Sequence, residues 1–217
     1  MAEDHQHLRS GFQRDLQEID SKVIQLFALV GEGLAGATDA FLSGDRAAAK
    51  ALLEHDSLID ELYRDIERLV QHQFALQTPM ARDLRFLLSV LRIVPELERS
   101  GDLAEHIAQR AARGLTEELT PRIRGLIEQM GRVGVEMWRT AADAYADRNG
   151  DAYETLNEDD DELDDLHVSL TAELVSGKLS VPIALEMSMV GRFYERLGDH
   201  AVNVANRVRY LARGETD

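Results

Sequence analysis

Apolar residues recur at intervals of three and four along most of the chain, which is the pattern of amphipathic helices. The first series runs from about Leu8 to Leu42, the second ends near Leu76, and the third continues to Ala112. Three more series follow after Gly114. The last of them has heptad spacing and comprises Leu197, Ala201, Val204, Val208 and Leu211. The pattern therefore predicts an all-α chain of six long helices.

Short polar segments between these series contain residues that typically start or stop helices. Thr78 and Pro79 predict the cap and the first turn of the third helix. Asp151, with Glu154 three residues later, predicts a capping box at the start of the fifth helix. Pro95 falls inside the third helix, and we expect it to kink that helix.

The second half of the chain repeats acidic and apolar positions of the first half. In the second predicted helix the repeated residues are Leu52, Asp56, Ile59, Asp60, Leu62 and Ile66. Their counterparts in the fifth helix are Leu156, Asp160, Leu163, Asp164, Leu166 and Leu170. The third and sixth helices share the pattern Glu-Arg-x-Gly-Asp, at residues 98–102 and 195–199. The repeat predicts two tandem three-helix bundles, at residues 1–115 and 116–217.

Each repeat contains two acidic pairs with a spacing of four residues, which places both carboxylates of a pair on one side of a helix. Two such helices packed side by side would bring four carboxylates together. The first predicted set is Asp56, Asp60, Glu98 and Asp102, and the second is Asp160, Asp164, Glu195 and Asp199. A bound divalent or trivalent cation would offset the repulsion within each set. Oxygen ligands suit magnesium, manganese, calcium or iron, and the residues alone do not choose among these ions.

The alternative interpretation is that these carboxylates are only solvated. The pairs lie beside or opposite the apolar stripes, as surface acids do, and we expect them to lean outward. Their occurrence on two helices of both repeats favours the metal interpretation. Gly101 and Gly198 each precede an aspartate inside a helix, and indicate either close helix approach or room for a neighbouring side chain. His106 lies one turn beyond Asp102, and we leave it out of the ligand set.

The chain is strongly acidic, with 40 Asp and Glu against 24 Lys and Arg and a formal net charge of −16. This charge disfavours binding to nucleic acid or to anionic membranes and favours basic partners or cations. The absence of cysteine excludes thiolate metal sites and cysteine nucleophiles. We find no glycine-rich phosphate loop and no nucleophile beside a base, so we expect no catalysis and no anion pocket other than one that a metal would create.

No apolar run resembles a signal peptide or a membrane span, and we therefore expect a cytoplasmic protein without membrane insertion. Exposed apolar faces would allow a homodimer, which we also expect.

Two segments of the chain resemble the signature segments of PhoU proteins. They are residues 97–102, Leu-Glu-Arg-Ser-Gly-Asp, and residues 194–203, Tyr-Glu-Arg-Leu-Gly-Asp-His-Ala-Val-Asn. Residues 79–85, Pro-Met-Ala-Arg-Asp-Leu-Arg, resemble the segment that opens the third helix in that family, and the acidic stretches 56–60 and 160–164 also fit. One departure is His106, where the second repeat has Asn203 and the family often has asparagine.

The resemblance implies two three-helix bundles that bind several metal ions at the acidic motifs. It implies iron or another divalent metal, with manganese, magnesium and zinc as candidates. It also implies a negative regulator of phosphate uptake and phosphate-starvation signalling, which docks to the ATPase of a phosphate ABC transporter and to a sensor histidine kinase. Two alternatives stay open: a ferritin-like carboxylate metalloenzyme, for which the usual Glu-x-x-His pairs are missing, and a purely structural bundle.

Overall fold

The computed structural model describes residues 2–53, 56–76 and 79–214, with the side chains of residues 11–53, 57–76 and 79–214. The described residues form α-helices, a short 3₁₀ helix and no strand, which confirms the all-α prediction. The predicted second helix corresponds to α2 and α3, and residues 54 and 55 between them lie outside the described part. The helices are α1 (Ala2–Ser43), α2 (Arg46–Leu53), α3 (Asp56–Leu76), α4 (Ala81–Ala112), α5 (Pro121–Asp147), α6 (Ala152–Val175) and α7 (Val181–Arg213), with the 3₁₀ helix at Leu115–Glu118.

Two helix starts follow from local side-chain capping. The carboxylate of Asp45 accepts hydrogen bonds from the backbone N–H groups of Ala47 and Ala48, at 3.0 and 2.9 Å, and so caps α2. The hydroxyl of Thr120 accepts a hydrogen bond from the backbone N–H of Ile123 at 3.3 Å and caps α5. Each cap satisfies a donor that the first turn of a helix leaves free.

Two other predicted helix starts are wrong. Met80 is the residue before α4, so Pro79 lies ahead of the first turn rather than within it, and Thr78 lies outside the described residues. Asp151 precedes α6, but its side chain makes no capping hydrogen bond. Its carboxylate pairs instead with Arg213 near the end of α7. Asp151 itself has helical backbone angles, with φ −79° and ψ −18°, whereas a capping residue typically has an extended backbone, so its carboxylate is not placed to accept from the first turn of α6.

The helices pack in two groups that share one apolar core. α4 contacts α1, α2 and α3, while α7 contacts α5 and α6. α1 also packs against α5, and α4 against α7, so buried side chains continue from one group into the other. α4 and α7, which carry the two Glu-x-x-x-Asp pairs, therefore lie side by side. The division at residue 115 and the kink at Pro95 stay predictions.

Two buried hydrogen bonds connect α7 to neighbouring helices. The indole N–H of Trp138 on α5 donates to the backbone carbonyl of Leu197 at 3.1 Å. The hydroxyl of Tyr194 is hydrogen-bonded to the hydroxyl of Thr38 on α1 at 2.9 Å. A Cβ at Gly131 would lie 3.3 Å from the Tyr194 hydroxyl oxygen, so glycine leaves room for this contact. These bonds fix the axial position of α7 relative to α1 and α5.

The segment of α1 between Gly11 and Ser43 is long and apolar enough to cross a membrane, judged by length and composition alone. The expectation that no such run exists is therefore wrong for this helix. However, 44% of the 18-residue apolar stretch that meets this criterion is buried inside the protein. Its inward residues Ile19, Val23 and Leu26 are fully buried in the shared core. Core helices of globular proteins meet the same criterion, so the segment is a weak indication of membrane insertion.

Candidate metal centres at the carboxylate pairs

The second predicted carboxylate set lies where α6 packs against α7. Asp160 and Asp164 come from α6, and Glu195 and Asp199 come from α7. The negative charges of Asp199, Asp164 and Glu195 all act on Asp160, which is half-buried. The structure therefore brings the four predicted residues of this repeat into one electrostatic cluster.

This cluster is short of positive charge. Burial raises the pKa of Asp160 and the neighbouring carboxylates raise it further, to about 6. Burial also raises the pKa of Glu195, where Asp199 adds to the rise while the guanidinium of Arg192 opposes it. Both shifts mean that the charged carboxylates are less stable here than in water. A cation placed among them would reverse that balance.

Glu195 carries a buried oxygen without a partner. Its Oε1 pairs with Arg192 on the same helix, whereas Oε2 is buried and has no hydrogen-bond partner among the described residues. The side chain is only 13% exposed, so the expected outward orientation is wrong for this residue. Asp199, one turn later, is exposed as expected. A buried carboxylate oxygen normally accepts a hydrogen bond or binds a metal, so Oε2 is a candidate ligand atom.

Gly198 allows Asp160 to approach α7. A Cβ at Gly198 would collide with Oδ1 of Asp160 and would lie 2.9 Å from a methyl carbon of Leu163. At Gly101, the equivalent position in the first repeat, a Cβ would lie 2.9 Å from a methyl carbon of Ile59. Both glycines therefore serve close helix packing, and Gly198 also makes room for a carboxylate of the cluster.

The first predicted set is described only in part. The side chain of Asp56 lies outside the described residues. Asp60 pairs with Arg64 on the same helix at 2.5 Å. Glu98 is half-buried on α4, which packs against α3. Asp60 and Asp102 are brought close enough for their charges to interact across these two helices.

Asp102 resembles Asp160 in the direction of its pKa. Burial raises the pKa of Asp102, the nearby His106 lowers it, and Asp60 and Glu105 raise it, with a net upward shift. The imidazole of His106 lies 5.3 Å from the ring of Phe193 on α7. His106 therefore packs between the two groups of helices as well as beside Asp102, and its exclusion from the ligand set stays a prediction.

No three histidine, aspartate or glutamate side chains in the described residues stand in an arrangement that could hold a metal ion. The donor chemistry of the second set nevertheless fits a hard cation, because all four of its side chains are carboxylates and one oxygen of Glu195 is buried without a hydrogen-bond partner among the described residues. Asp164 and Asp199 are exposed, and rotation of their side chains would bring them toward a shared ion. In the first set only Asp60, Glu98 and Asp102 have described side chains.

The sequence did not predict a buried contact that joins α4 to α7 between the two sets. Nδ1 of His200 and Oε2 of Glu96 form a hydrogen bond, and both side chains are largely buried. Burial raises the pKa of Glu96, but the hydrogen bond and charge of His200 lower it overall. The signal available in the sequence was a histidine directly after Asp199, where the first repeat has Leu103.

Asp160→Asn is expected to stabilise the metal-free protein at pH 7, by about 1 kcal/mol after allowance for solvent screening. The pKa of Asp160 is about 6 in the folded state against 3.8 ordinarily, so the folded state binds more protons than the unfolded state between about pH 4 and 6. The stability of the wild type therefore falls as the pH rises through that window. The side-chain amide of Asp160→Asn does not titrate, so the variant lacks this decrease.

Urea unfolding at pH 4 and pH 7, in the presence of a chelator, measures this difference. The exposed neighbour Asp161→Asn serves as the control and should change stability by less than about 0.5 kcal/mol at either pH. Equal stabilities of Asp160→Asn and the wild type at pH 7 would show that the cluster carries no electrostatic strain.

Comparison with known proteins gives a consistent result over nearly the whole chain. The family model described as PhoU domain matches residues 23–111 and 127–208. The phosphate-specific transport system accessory protein PhoU homolog 2 of Mycobacterium tuberculosis is 32% identical over 210 residues, which cover 95% of this chain and 99% of the relative. The phosphate-specific transport system accessory protein PhoU homolog of Rhizobium meliloti is 29% identical over 218 residues, which cover 97% of this chain and 90% of the relative.

The fold is also similar to that of a solved structure. The crystal structure of PhoU from Pseudomonas aeruginosa has a TM-score of 0.87 and a sequence identity of 31%. The match covers 94% of this chain and 100% of that chain. Both repeats, and both sets of carboxylates, fall inside the region that these comparisons cover.

Proposed function

Because this chain belongs to the PhoU family, we propose that it is a regulator of phosphate uptake and of phosphate-starvation signalling. The observation that carries this proposal is the family match to both repeats, supported by the fold shared with Pseudomonas aeruginosa PhoU. The relatives are named as accessory proteins of the phosphate-specific transport system, and the proposal extends that association to this chain. The chain acts as a cytoplasmic negative regulator, by binding partners rather than by catalysis.

The proposed partners are the ATPase of a phosphate ABC transporter and a sensor histidine kinase. A net charge of −16 favours partners with basic surfaces. α7 also presents a row of exposed apolar side chains at every fourth position, Val181, Leu185 and Met189, which are 72%, 64% and 44% exposed. Adjacent exposed apolar residues are typical of protein contact surfaces, and this row supports the docking part of the proposal. Homodimer formation stays a prediction that analytical ultracentrifugation would test.

We further propose that each carboxylate set binds a divalent or trivalent metal ion, with iron, manganese, magnesium and zinc as the candidates. The second set is Asp160, Asp164, Glu195 and Asp199, and the first is Asp56, Asp60, Glu98 and Asp102. The metal would supply positive charge that offsets the repulsion within a set. The unpaired Oε2 of Glu195 and the raised pKa of Asp160 support this for the second set. Since the ligands of that set come from α6 and α7, binding would hold these two helices together.

Deleting the gene for this chain from its source organism is expected to raise a phosphate-starvation reporter several-fold in phosphate-rich medium. The physical reason is that the transporter and the kinase lose the partner that restrains them. Reintroducing the wild-type gene should restore the low reporter level. The control is reintroduction of a variant with exposed Asp161 and Asp165 changed to alanine, which should restore it equally. A deletion strain whose reporter stays low in phosphate-rich medium would contradict the regulatory role.

A further inference from the structure

A cleft lined by arginines lies where α4 begins and where α5 and α7 end. Its volume is about 550 Å³, and Arg82, Arg85 and Arg148 line it together with Gln13 and Gln17 of α1. Arg85 and Asp102 are separated on α4 by seventeen residues, or about 25 Å of helix, so the cleft is distinct from the carboxylate sets.

Arg148 is already neutralised and forms a fixed wall of the cleft. Its guanidinium pairs with Asp20 at 2.5 Å and donates a hydrogen bond to the backbone carbonyl of Tyr145 at 3.0 Å. The hydroxyl of Tyr145 donates a second hydrogen bond to Asp20 at 2.7 Å. The guanidinium also lies 5.6 Å from the ring centre of Phe86. These contacts hold Arg148 and Asp20 as a neutral pair and leave the other arginines for a ligand.

Arg85 has no anionic partner among the residues that the structure describes. Its Nε is buried and makes no hydrogen bond, and no residue in the described part of the chain forms an ion pair with this guanidinium. The side chain is held by packing, because its guanidinium lies against Gly214, where a Cβ would collide with it. Gly214 has a φ of 78°, in the left-handed region that glycine adopts without strain. Arg85 is therefore positioned, buried at Nε and unpaired, which is the state of an anion ligand before its anion binds.

The rest of the lining adds donors and a small positive charge. Arg82 is exposed in the first turn of α4, at the positive end of that helix dipole. Gln13 and Gln17 are four residues apart on α1, so their amides lie on one side of it. The lining contains three arginines and two aspartates, Asp20 and Asp83, which leaves one net positive charge. On a chain with a net charge of −16, such a local excess is distinctive.

We propose that this cleft binds a phosphoryl oxyanion, either inorganic phosphate or the phosphate group of a small monoester. Arg85 is the principal ligand, and Arg82 contributes from the mouth of the cleft. A tetrahedral anion with several oxygens suits donors that arrive from two helices, and a guanidinium matches two of those oxygens at once. The site uses no carboxylate of the proposed metal centres, so it does not depend on a bound metal and goes beyond the proposed function.

Isothermal titration calorimetry of the full chain tests this proposal, after metal has been removed with a chelator and at constant ionic strength. The probes are inorganic phosphate and glycerol 3-phosphate. Arg85→Gln should weaken binding by about tenfold or more, and Arg82→Gln by about threefold, because each loses a charged donor. The control Arg122→Gln removes an exposed arginine from the first turn of α5 and should change the affinity by less than about twofold.

Binding of phosphate alone would identify the free ion as the ligand, and binding of the monoester would show that the cleft also accepts a phosphate ester. Either result supports the proposal when Arg85→Gln and Arg82→Gln weaken the observed binding. No binding of either probe at millimolar concentration would overturn it, as would unchanged affinity in both Arg85→Gln and Arg82→Gln with a native circular dichroism spectrum. Arg82 is exposed, so its variant should fold even if Arg85→Gln does not. None of these outcomes alters the result expected for the gene deletion.

Discussion

Replacing Trp138 with alanine is expected to lower the free energy of unfolding by about 3–5 kcal/mol. Trp138 is 1% exposed and lies on α5, in contact with helices of both groups. Its indole N–H donates to the carbonyl of Leu197 on α7 at 3.1 Å, and its ring centre lies 6.3 Å from that of Phe27 on α1. Alanine would leave a large cavity between three helices that their other contacts hold in place.

Urea unfolding followed by far-ultraviolet circular dichroism measures this effect, because the chain has a single tryptophan and the variant loses that fluorescent probe. Trp138→Phe keeps most of the ring volume and loses the hydrogen bond, and should cost about 1–2 kcal/mol. Val175→Ala changes a residue that is 81% exposed at the end of α6 and should cost less than about 0.5 kcal/mol. An unfolding midpoint of Trp138→Ala equal to that of the wild type would contradict the packing of α5 between α1 and α7.

Changing both Glu195 and Asp199 to alanine is expected to weaken binding of manganese to the second carboxylate set by about 100-fold. The change removes two of the four proposed ligands, including the buried and unpaired Oε2. The remaining pair, Asp160 and Asp164, comes from α6 alone and would no longer hold α6 against α7 through a metal ion. Calorimetric titration of manganese into the metal-free chain gives the affinity.

The matched control changes Asp161 and Asp165 to alanine. These two aspartates are exposed on α6, have the same spacing of four residues and carry the same formal charge as the pair they are compared with. General attraction of cations to an acidic surface would fall equally in both double variants, whereas a specific site would lose affinity only when its own ligands are removed. The control should keep the wild-type affinity within about twofold. Equal losses of manganese affinity in the two double variants would indicate that Glu195 and Asp199 are solvated surface residues rather than metal ligands.

Much of the fold could be predicted from the sequence because helical signals are local. Apolar spacing of three and four residues depends on neighbours within two turns, and Asp45 and Thr120 cap their helices through N–H groups two or three residues away. The prediction failed at Asp151, whose backbone is helical rather than extended and whose carboxylate pairs with Arg213, sixty-two residues later in the chain. The local sequence pattern shows neither the backbone angles of Asp151 nor its contact with the end of α7.

The same distinction applies to the candidate site. The spacing of Asp160 and Asp164 on one helix, and of Glu195 and Asp199 on another, is local and could be predicted. The burial of Glu195 could not be predicted, since it depends on the packing of α7 against neighbouring helices. Features that join distant segments were also missed.

One missed feature is the contact of Glu96 with His200, which are 104 residues apart in the chain. The other is the arginine cleft, whose walls come from four helices. In both cases each residue looks like an ordinary surface or core position in its own helix. Only the packing of α4 against α7, and of the helix ends against α1, brings these groups together.

The proposed metal centres are tested most directly by elemental analysis of the chain purified from metal-replete cells. The comparison is a variant in which Glu98, Asp102, Glu195 and Asp199 are all changed to alanine. We predict about one metal ion or more per chain in the wild type, and a loss of that metal in the variant with its helical circular dichroism spectrum retained. Wild-type protein without metal, or a variant that keeps the same metal content, would contradict the assignment of these carboxylates as ligands.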